Sequence, residues 1–457
     1  MRIVFGIILS ILLSVSLYVN AEEYSGTLPV IFIETDDTIA SKYDYVEGRF
    51  YIDAMGHEEF KSLGSVSDWL PLQIRGRGNW TWFGDFEKKS YKIKLTTKAP
   101  LLNMSSNKHF ALLAHFDGVR AFFRNAAGFW IGRELEMDFT PQQQPVELVL
   151  NGKYAGLYFL TETVRVGKNR VNIIEQDDYE TDEELIKGGW LIELDNGDDE
   201  HQIKFPTTGT NLDWLWVTYH SPENLSSAQH DYLYGQVMDI IDAIYTTDKN
   251  STAWEELIDV PTLAKFYLTL EVLDQLEGFL GSCFLYKDRN ESKWKFGPLW
   301  DLGHAFNDWH EKNRFIYDND WEPSILEEIA KFPRFHEEVL SVWKVFYPDK
   351  YQGLIDYLTT YSQYISTAAK YDSERWGVSY TSDTQVLLES CLSLMDEKIQ
   401  FLKREWGDGN SVNSIVLTQI NNDDCRHVYY NLLGQKNKHR TFGGIYIKDH
   451  KKYYDKK

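Results

Sequence analysis

The chain of 457 residues contains only three cysteines, Cys283, Cys391 and Cys425. Three cysteines exclude a fold held together by several disulfides, while one bridge remains open and its partners cannot be assigned. Basic residues are also scarce, because 47 Lys and Arg stand against 69 Asp and Glu, for a net charge of −22. Such a chain lacks the basic surface that a general nucleic-acid-binding protein needs. We therefore expect no nucleic acid among its partners.

Long apolar runs are absent after the first 21 residues, so no later segment is expected to span a membrane. Residues 1–21 have the pattern of a secretory signal peptide, in which Arg2 precedes an apolar run and Val19-Asn20-Ala21 fits the cleavage site. The other interpretation is an uncleaved membrane anchor, since the run is about long enough to cross a bilayer. We expect cleavage, and hence a secreted, periplasmic or cell-surface protein.

Aromatic residues are abundant, at 15% of the chain with 15 Trp, and hydrophobic residues reach 43%. A chain of this composition can bury a large core, and its length alone allows two or three domains. Disorder of the whole chain is excluded, because its apolar content is high and its Gly and Pro content is modest.

The first half of the chain is predicted to be mainly β-structure, and we place a β-rich lobe at about residues 25–210. The Asn151-Gly152 pair is typical of a tight hairpin turn. Residues 119–136 have the apolar spacing of a helix. Alternation and short apolar runs predict strands at 28–33, 43–54, 91–95, 146–161, 171–174 and 190–194.

The apolar pattern becomes helical in the second half, which we expect to form a helical lobe at about residues 211–405. Stripes with a period of 3.6 residues predict helices at 228–245, 260–275, 325–346 and 386–406. A predicted hairpin at 282–301 interrupts them. A linker near 407–413 leads to a small β module at 411–457. The pattern therefore predicts an α+β fold with a separate tail.

A first candidate site lies directly after this hairpin. Gly297-Pro298 ends the second strand, and Asp301 follows as a single carboxylate in an apolar frame. A carboxylate fixed after a hairpin can hold a divalent metal with preset geometry. The alternative is that Asp301 only caps a turn or a helix.

A second candidate site lies in residues 74–98, where basic residues outnumber acidic ones within an acidic chain. Arginine binds phosphate oxygens in bidentate fashion, and glycine lets a backbone approach a ligand closely. Lys92 and Lys94 would share one face of a strand. The alternative is a solvated strand face beside an ordinary glycine turn. The other residues of this candidate anion site are Arg75, Gly76, Arg77 and Gly78.

Several motifs, taken together and in order, resemble those of the CotH kinase family, named for a spore coat protein. They are Arg75-Gly-Arg-Gly-Asn79, Lys88-Lys-Ser-Tyr-Lys-Ile-Lys-Leu95, Arg124-Asn125-Ala126, Val149-Leu-Asn-Gly152, Tyr158-Phe-Leu-Thr-Glu162, Asn169-Arg-Val-Asn172, Gly297-Pro-Leu-Trp-Asp301 and Ala305-Phe306. The resemblance covers about residues 25–405. It implies a secreted or surface protein with a two-lobed, atypical protein-kinase-like fold, and some family members phosphorylate proteins. The tail resembles C-terminal modules of exported proteins from Bacteroidetes-type bacteria.

The resemblance also implies roles for individual residues. Asp301 would hold Mg²⁺ or Mn²⁺ against the phosphates of ATP or another nucleoside triphosphate. Lys94 or Lys92 would pair with phosphate, with Lys94 preferred. Glu162 or Glu134 would be the carboxylate partner of that lysine. Arg75 and Arg77 would line the phosphate path.

The chain departs from the family pattern at two places. Gln275-Leu276-Glu277 stands where family members often have Asn-x-Asp, so the implied catalytic base is Glu277, one methylene longer than Asp. Gly303 stands where a second metal-binding Asp is common, and Asn307 replaces a Gly. His304 and Asp308 are nearby, although a surface role is expected for both. These changes bear on activity more than on fold.

Three functions remain open from the sequence. The first is an exported kinase that transfers phosphate to a protein hydroxyl. The second is a catalytically impaired pseudokinase that acts as a surface binding or structural protein, with a protein or a glycan as its partner. The third is a glycan-active enzyme with Glu193 and Asp195 as paired carboxylates on one face of a strand. Metal-dependent nucleotide binding separates the first from the third.

Overall fold

The structure of the chain is a computed structural model that describes residues 24–197, 201–207, 212–318, 322–377 and 382–408 and four short tail strands. The predicted signal peptide and Cys425 lie outside the described residues. The tail strands form two antiparallel pairs, Tyr429–Tyr430 with Lys436–Asn437 and Ile445–Lys448 with Lys451–Tyr454. The rest of the predicted β module lies outside the described residues.

Seven strands of the first half form a closed barrel, with neighbours in the order β1-β2-β3-β4-β5-β7-β6 and closure where β6 pairs with β1 in parallel. Apolar residues alternate along these strands, so Ile74, Ile93 and Phe110 fill the barrel interior while their neighbours face outward. The strands are β1 (Val30–Thr35), β2 (Val46–Asp53), β3 (Leu70–Arg77), β4 (Ser90–Ala99), β5 (Asn107–Leu113), β6 (Gln143–Leu150) and β7 (Lys153–Glu162).

A second, antiparallel sheet has the strand order β12-β11-β8-β10-β9. It combines strands from both sides of the lobe boundary expected near residue 210. The predicted hairpin after 282 is present as its β11–β12 pair. The strands are β8 (Trp190–Asp195), β9 (Gln202–Pro206), β10 (Trp214–Ser221), β11 (Cys283–Lys287) and β12 (Lys295–Phe296).

Helices form most of the remaining regular secondary structure in the described residues, and most of them agree with the predicted stripes. The single helix predicted at 325–346 is wrong in one respect, because it is divided before Pro333, which begins the second of two helices. The strand predicted at 171–174 is also wrong, since Val171 forms only an isolated bridge with Val166. The helices are α1 (Trp80–Phe83), α2 (Ala121–Glu134), α3 (Ser227–Ile244), α4 (Val260–Leu273), α5 (Leu326–Ile329), α6 (Pro333–Phe346), α7 (Asp349–Trp376) and α8 (Thr384–Trp406).

Helix α4 ends at a buried carboxylate that several cations surround. Asp274 has φ +54°, so the chain leaves the helix in a left-handed turn. Lys398 Nζ lies 2.8 Å from Asp274 Oδ1, Lys312 Nζ lies 2.6 Å from Oδ2, and His310 Nδ1 lies 2.8 Å from Oδ1. Lys398 Nζ also lies 2.8 Å from Glu271 Oε1. These contacts join α4, the loop before α5, and α8.

The groups around Asp274 stabilise its ionised form. Burial alone would raise its pKa, but the hydrogen bond with His310 and the charges of Lys398 and Lys312 hold the pKa of Asp274 well below its usual range. The pair of carboxylates, Glu271 and Asp274, is therefore balanced by cations from two other segments. We call this set of buried groups the Asp274 network.

A second buried ion pair joins the barrel to α7. Lys88 Nζ lies 2.8 Å from Asp372 Oδ1, and neither side chain is more than 4% exposed. Lys88 also donates a 3.0 Å hydrogen bond to the carbonyl of Ala114, and the Leu157 amide donates a 2.8 Å bond to Asp372 Oδ1. A Cβ at Gly156, which has φ +108°, would lie 2.1 Å from that oxygen. The approach of α7 to β7 thus requires glycine there.

Cys283 and Cys391 are both buried and free. Across the described residues, no helix has the length and apolarity needed to cross a membrane.

Lys88→Met is expected to lower the free energy of unfolding by about 3–5 kcal/mol, because Asp372 would remain buried without its partner. Denaturant unfolding followed by circular dichroism measures this loss. Lys61→Met, at an exposed lysine, is the control and should change stability by no more than about 0.5 kcal/mol. Lys88→Met/Asp372→Leu should recover much of the loss, and a single-variant loss below about 1 kcal/mol would contradict the role of this pair.

Candidate functional site

A cleft of about 1060 Å³ lies between the outer face of β3 and β4 and the segments that follow α4 and β12. Strands β8 and β10 contribute further lining residues. The predicted site residues that line this cleft are Arg75, Gly76, Arg77, Gly78, Lys92, Glu277 and Asp301. The structure therefore brings the two candidate stretches of the sequence together in one cavity.

The barrel supplies a basic wall, formed by Arg75, Arg77 and Lys92. Arg75 and Lys92 are paired across β3 and β4, and all three side chains lie on the outward face because Ile74 and Ile93 point inward. Burial, together with the charges of Arg75 and nearby Arg165, lowers the pKa of Lys92 to about 8. The wall is a group of cations that repel one another, and a bound anion would relieve that repulsion.

The two glycines of this wall have different physical roles. A Cβ at Gly76 would lie 2.4 Å from the ring of Trp82, so the absent side chain makes room for that ring rather than for a ligand. Gly78 has φ +95°, a backbone conformation that favours glycine, at the point where β3 turns into α1. The glycines therefore shape the turn whose residues Asn79, Trp80 and Thr81 line the cleft.

The opposite side of the cleft carries carboxylates. Asp301 has φ +49° and its side chain is solvent-accessible within the cleft. Glu277 lies in the short 3-10 turn that follows Asp274. Its Oε2 lies 3.7 Å from His304 Nε2. Asp195 stands close by, since a Cβ at Gly281 would lie 3.9 Å from both Asp195 Oδ1 and Glu277 Oε1.

The electrostatics of these groups are coupled across the cleft. Burial and the charge of Asp301 raise the pKa of Glu277 to about 7. The pKa of Asp301 is raised, because the walls of the cleft partly desolvate its carboxylate. The charges of Arg77 and Arg124 oppose this shift. The pKa of Arg77 is lowered by burial, while Asp301 and Glu193 favour its charged form. A cation beside Asp301 would favour ionisation of both carboxylates.

Lys94 and Glu162 do not line the cleft. Lys94 lies on β4 beyond Lys92 and pairs in register with Gln73 and His109. Glu162 is buried, and its Oε1 lies 2.7 Å from Arg170 Nη1. Its carboxylate also accepts bonds from the amides of Ser105 and Gln142. The partner of Glu162 is thus an arginine, not the lysine that the resemblance implied.

The alternative partner, Glu134, lies at the end of α2 and forms a 2.9 Å ion pair with Lys350. Neither carboxylate proposed from the sequence contacts Lys92. None of the ion pairs among the described residues involves Lys92, and the charge of Glu223 favours its charged form only weakly.

Several cleft residues were not assigned to a nucleotide site from the sequence. Arg124 Nη1 bonds to Asp117 at 2.8 Å, and Arg120 Nη2 bonds to Asp308 at 3.0 Å. Arg124 belongs to one of the motifs that resemble the CotH kinase family, so this motif could have indicated that Arg124 lies in the site. Asp117 has no comparable sequence signal. All four residues line the cleft.

Glu193 and Asp195, the candidate glycan-active pair, both line the cleft. Glu193 Oε2 lies 2.7 Å from His220 Nε2, and Asp195 Oδ2 accepts a 3.1 Å hydrogen bond from Thr218. Each carboxylate therefore has a partner on the neighbouring strand β10, as expected for groups that position one another within a sheet.

The carboxylates of the cleft fit a divalent cation whose remaining ligands come from water and from a bound phosphate. The described part of the chain contains no cluster of three or more His, Cys, Asp or Glu residues that could hold a metal. Mg²⁺ is commonly bound by one or two carboxylates, with water and substrate phosphates completing its shell. Asp301 and the neighbouring Glu277 can supply those carboxylates. At Gly303, a Cβ would lie 3.6 Å from Asp301 Oδ1, so an Asp there would add one more.

The sequence model of CotH kinase proteins matches residues 74–390. The match begins in β3, includes both walls of the cleft, and ends within α8. Among curated proteins, none is significantly similar to the chain.

Glu277→Gln is expected to flatten the pH dependence of stability. The pKa of Glu277 is about 7 in the folded protein against an ordinary value of 4.5, so the folded state holds a proton that the unfolded chain has released. Stability should therefore fall as pH rises through this range and level off above it. In the variant, the decrease in the free energy of unfolding over this pH range should be smaller by about 1–2 kcal/mol. This figure allows for the partial exposure of the Glu277 side chain.

Denaturant unfolding of both proteins at about pH 5 and about pH 8 measures this difference. Glu311→Gln is a control at an exposed glutamate near the cleft. Parallel pH profiles for Glu277→Gln and the unaltered protein would contradict the raised pKa.

Proposed function

Because the chain belongs to the CotH kinase family, we propose that it is an exported, atypical kinase that uses ATP or another nucleoside triphosphate with Mg²⁺ or Mn²⁺. It transfers phosphate to a hydroxyl of a protein. The observation that carries the proposal is the placement of a basic wall and a pair of carboxylates on opposite sides of one cleft. Export rests on the sequence of residues 1–21. In this proposal the barrel is one lobe, and the helices with the second sheet are the other.

The basic wall would bind the phosphates. Arg75, Arg77 and Lys92 present donors from two adjacent strands, so their spacing is fixed by the barrel rather than by a flexible loop. Lys92, with a pKa of about 8, is largely protonated at neutral pH, and a bound phosphate would raise that pKa further. The structure thus favours Lys92 over Lys94 as the phosphate-binding lysine.

Asp301 and Glu277 would hold the cation, which neutralises charge on the phosphates when it is bound. Glu277 is also the residue that would accept a proton from the acceptor hydroxyl, through a carboxylate oxygen. Its pKa is about 7 without a cation and would fall when the cation binds, so Glu277 would be ionised and able to accept the proton. Arg77, whose charge interacts with that of Asp301, would stabilise charge on the transferred phosphoryl group.

The second candidate function is a pseudokinase that binds nucleotide or a surface partner without transferring phosphate. Glu277 and Gly303 favour it, because the base is longer than the family's Asp and the second metal carboxylate is absent at 303. A displacement of about 1 Å at a reacting group can reduce the rate about a hundredfold. Nucleotide binding without transfer to any protein acceptor would favour this function.

Asp301→Asn is expected to abolish Mn²⁺-dependent ATP binding while the fold is retained, because the change removes the anionic metal ligand and keeps the side-chain size. Calorimetric titration of ATP into residues 22–457, with and without Mn²⁺, measures the effect. Asp318→Asn is the matched control, since Asp318 is 67% exposed and paired with Arg314. Equal affinity in Asp301→Asn and the unaltered protein would remove Asp301 from the metal site. No binding by the unaltered protein would contradict the proposed function.

Lys92→Ala is expected to weaken ATP binding by about tenfold or more, because it removes a charge-assisted bond to phosphate. Lys94→Ala is the matched comparison on the same strand face, and it should have a clearly smaller effect. The same titration measures both variants. A larger effect of Lys94→Ala would assign the phosphate contact to Lys94, as the resemblance first implied.

A further inference from the structure

The basic face of the barrel continues beyond the cleft. Lys94 lies two residues past Lys92 on β4, about 7 Å further along the strand. It is paired in register with His109 on β5. Arg165 follows Val164, a cleft residue, and its charge acts on both Lys92 and His109. We call Lys94, His109 and Arg165 the outer basic strip.

The outer basic strip adjoins the cleft without lining it. Neither Lys94, His109 nor Arg165 is among the cleft residues, whereas Lys92 and Thr163 are. The Thr163 hydroxyl donates a 3.5 Å hydrogen bond to the His109 carbonyl, which links the strip to the cleft edge. A molecule bound at the mouth of the cleft could therefore extend over the strip, whereas nucleotide phosphates would bind inside the cleft.

The strip also lacks compensating charge. Within the described ranges, no ion pair involves Lys94, His109 or Arg165, in a chain whose net charge is −22. Burial and the charges of Arg165, Lys92 and Lys94 lower the pKa of His109 to about 3. The Nδ1 atom of His109 is buried without a hydrogen-bond partner. With this pKa His109 is neutral near pH 7, so the charge of the strip is carried by Lys94 and Arg165. Two cations without an ion-pair partner, in a chain where carboxylates are plentiful, indicate a surface arranged for an external anion.

We propose that the outer basic strip binds a short acidic segment of the acceptor protein, next to the hydroxyl that receives phosphate. The proposal rests on the kinase function proposed above, because it assigns the acceptor to the same cleft. Acidic side chains of the acceptor would lie against Lys94 and Arg165. The hydroxyl would then reach the cleft beside Lys92, on the side facing Glu277.

A short segment fits better than a long polyanion. The strip spans two strands and the start of one loop, so it can face only a few carboxylates at once. The chain as a whole carries a net charge of −22, which opposes the binding of a long polyanion. A nucleic acid or a sulfated polysaccharide, with its many charges, would meet more of this repulsion than a peptide with a few acidic residues.

The test uses residues 22–457 and a short fluorescent peptide in which Glu residues flank one Ser. Two matched peptides carry Gln or Lys in place of Glu. Fluorescence anisotropy is measured with Mn²⁺ and a non-hydrolysable ATP analogue present, so that the basic wall is occupied. The Glu peptide should bind most tightly, and added salt should weaken its binding.

Lys94→Gln/Arg165→Gln is expected to weaken binding of the Glu peptide by about tenfold, since charge contacts from two half-buried side chains are lost. Lys61→Gln/Lys153→Gln, which removes two exposed lysines elsewhere on the barrel half, is the control and should bind normally. A second readout is the pKa of His109, measured by NMR, which should rise when the Glu peptide binds.

Equal binding of the Glu and Gln peptides, or tighter binding of the Lys peptide, would overturn the proposal. Binding of dextran sulfate that the Glu peptide cannot displace would also overturn it, in favour of a polysaccharide partner. The ATP titration of the same variants separates the two proposals. Loss of peptide selectivity with intact ATP binding rejects only the acidic acceptor, whereas absent ATP binding with selective peptide binding rejects only the kinase function.

Discussion

The buried charge of Asp274 is the constraint on which the geometry of the cleft depends. This residue ends α4 in a left-handed turn, and the chain reaches Glu277 three residues later. Asn307 donates a 2.7 Å hydrogen bond to the Asp274 carbonyl, and the Phe306 amide donates a 2.9 Å bond to the Leu273 carbonyl. The segment after Asp301 is therefore tied to the segment that carries Glu277. Buried charges of this kind are costly unless every partner is present, so the network favours one arrangement of the two loops.

The opposite wall depends on a simpler rule. Because side chains alternate along a strand, the same pattern that fills the barrel with Ile74 and Ile93 turns Arg75 and Lys92 outward. A shift of one residue in the β3–β4 register would place the cations in the core and the apolar groups in water. Both changes would destabilise the barrel. The position of the basic wall is thus fixed by the hydrophobic effect, while its charge is available for a ligand.

The sequence predicted those features that follow from local pattern. Alternation located β4, the Asn151-Gly152 turn located the β6–β7 hairpin, and Asp301 was identified by its place after a hairpin, whereas β3 was not predicted as a strand. Long-range pairing was not predictable in the same way. Nothing local to Glu162 indicates that Arg170 is its partner. Helix α7 was missed because its buried stripe includes the polar residues Tyr361, Ser362 and Asp372. Barrel closure depends on the parallel contact of β1 with β6, which strand patterns alone do not specify.

The ion pair between Lys88 and Asp372 has a consequence for the order in which the chain can become stable. All seven barrel strands are complete by Glu162, yet the buried ammonium of Lys88 receives its counter-ion from a residue more than two hundred positions later. Until α7 is in place, a folded barrel would hold an uncompensated charge unless water reached Lys88. The barrel is therefore built first along the chain but stabilised last.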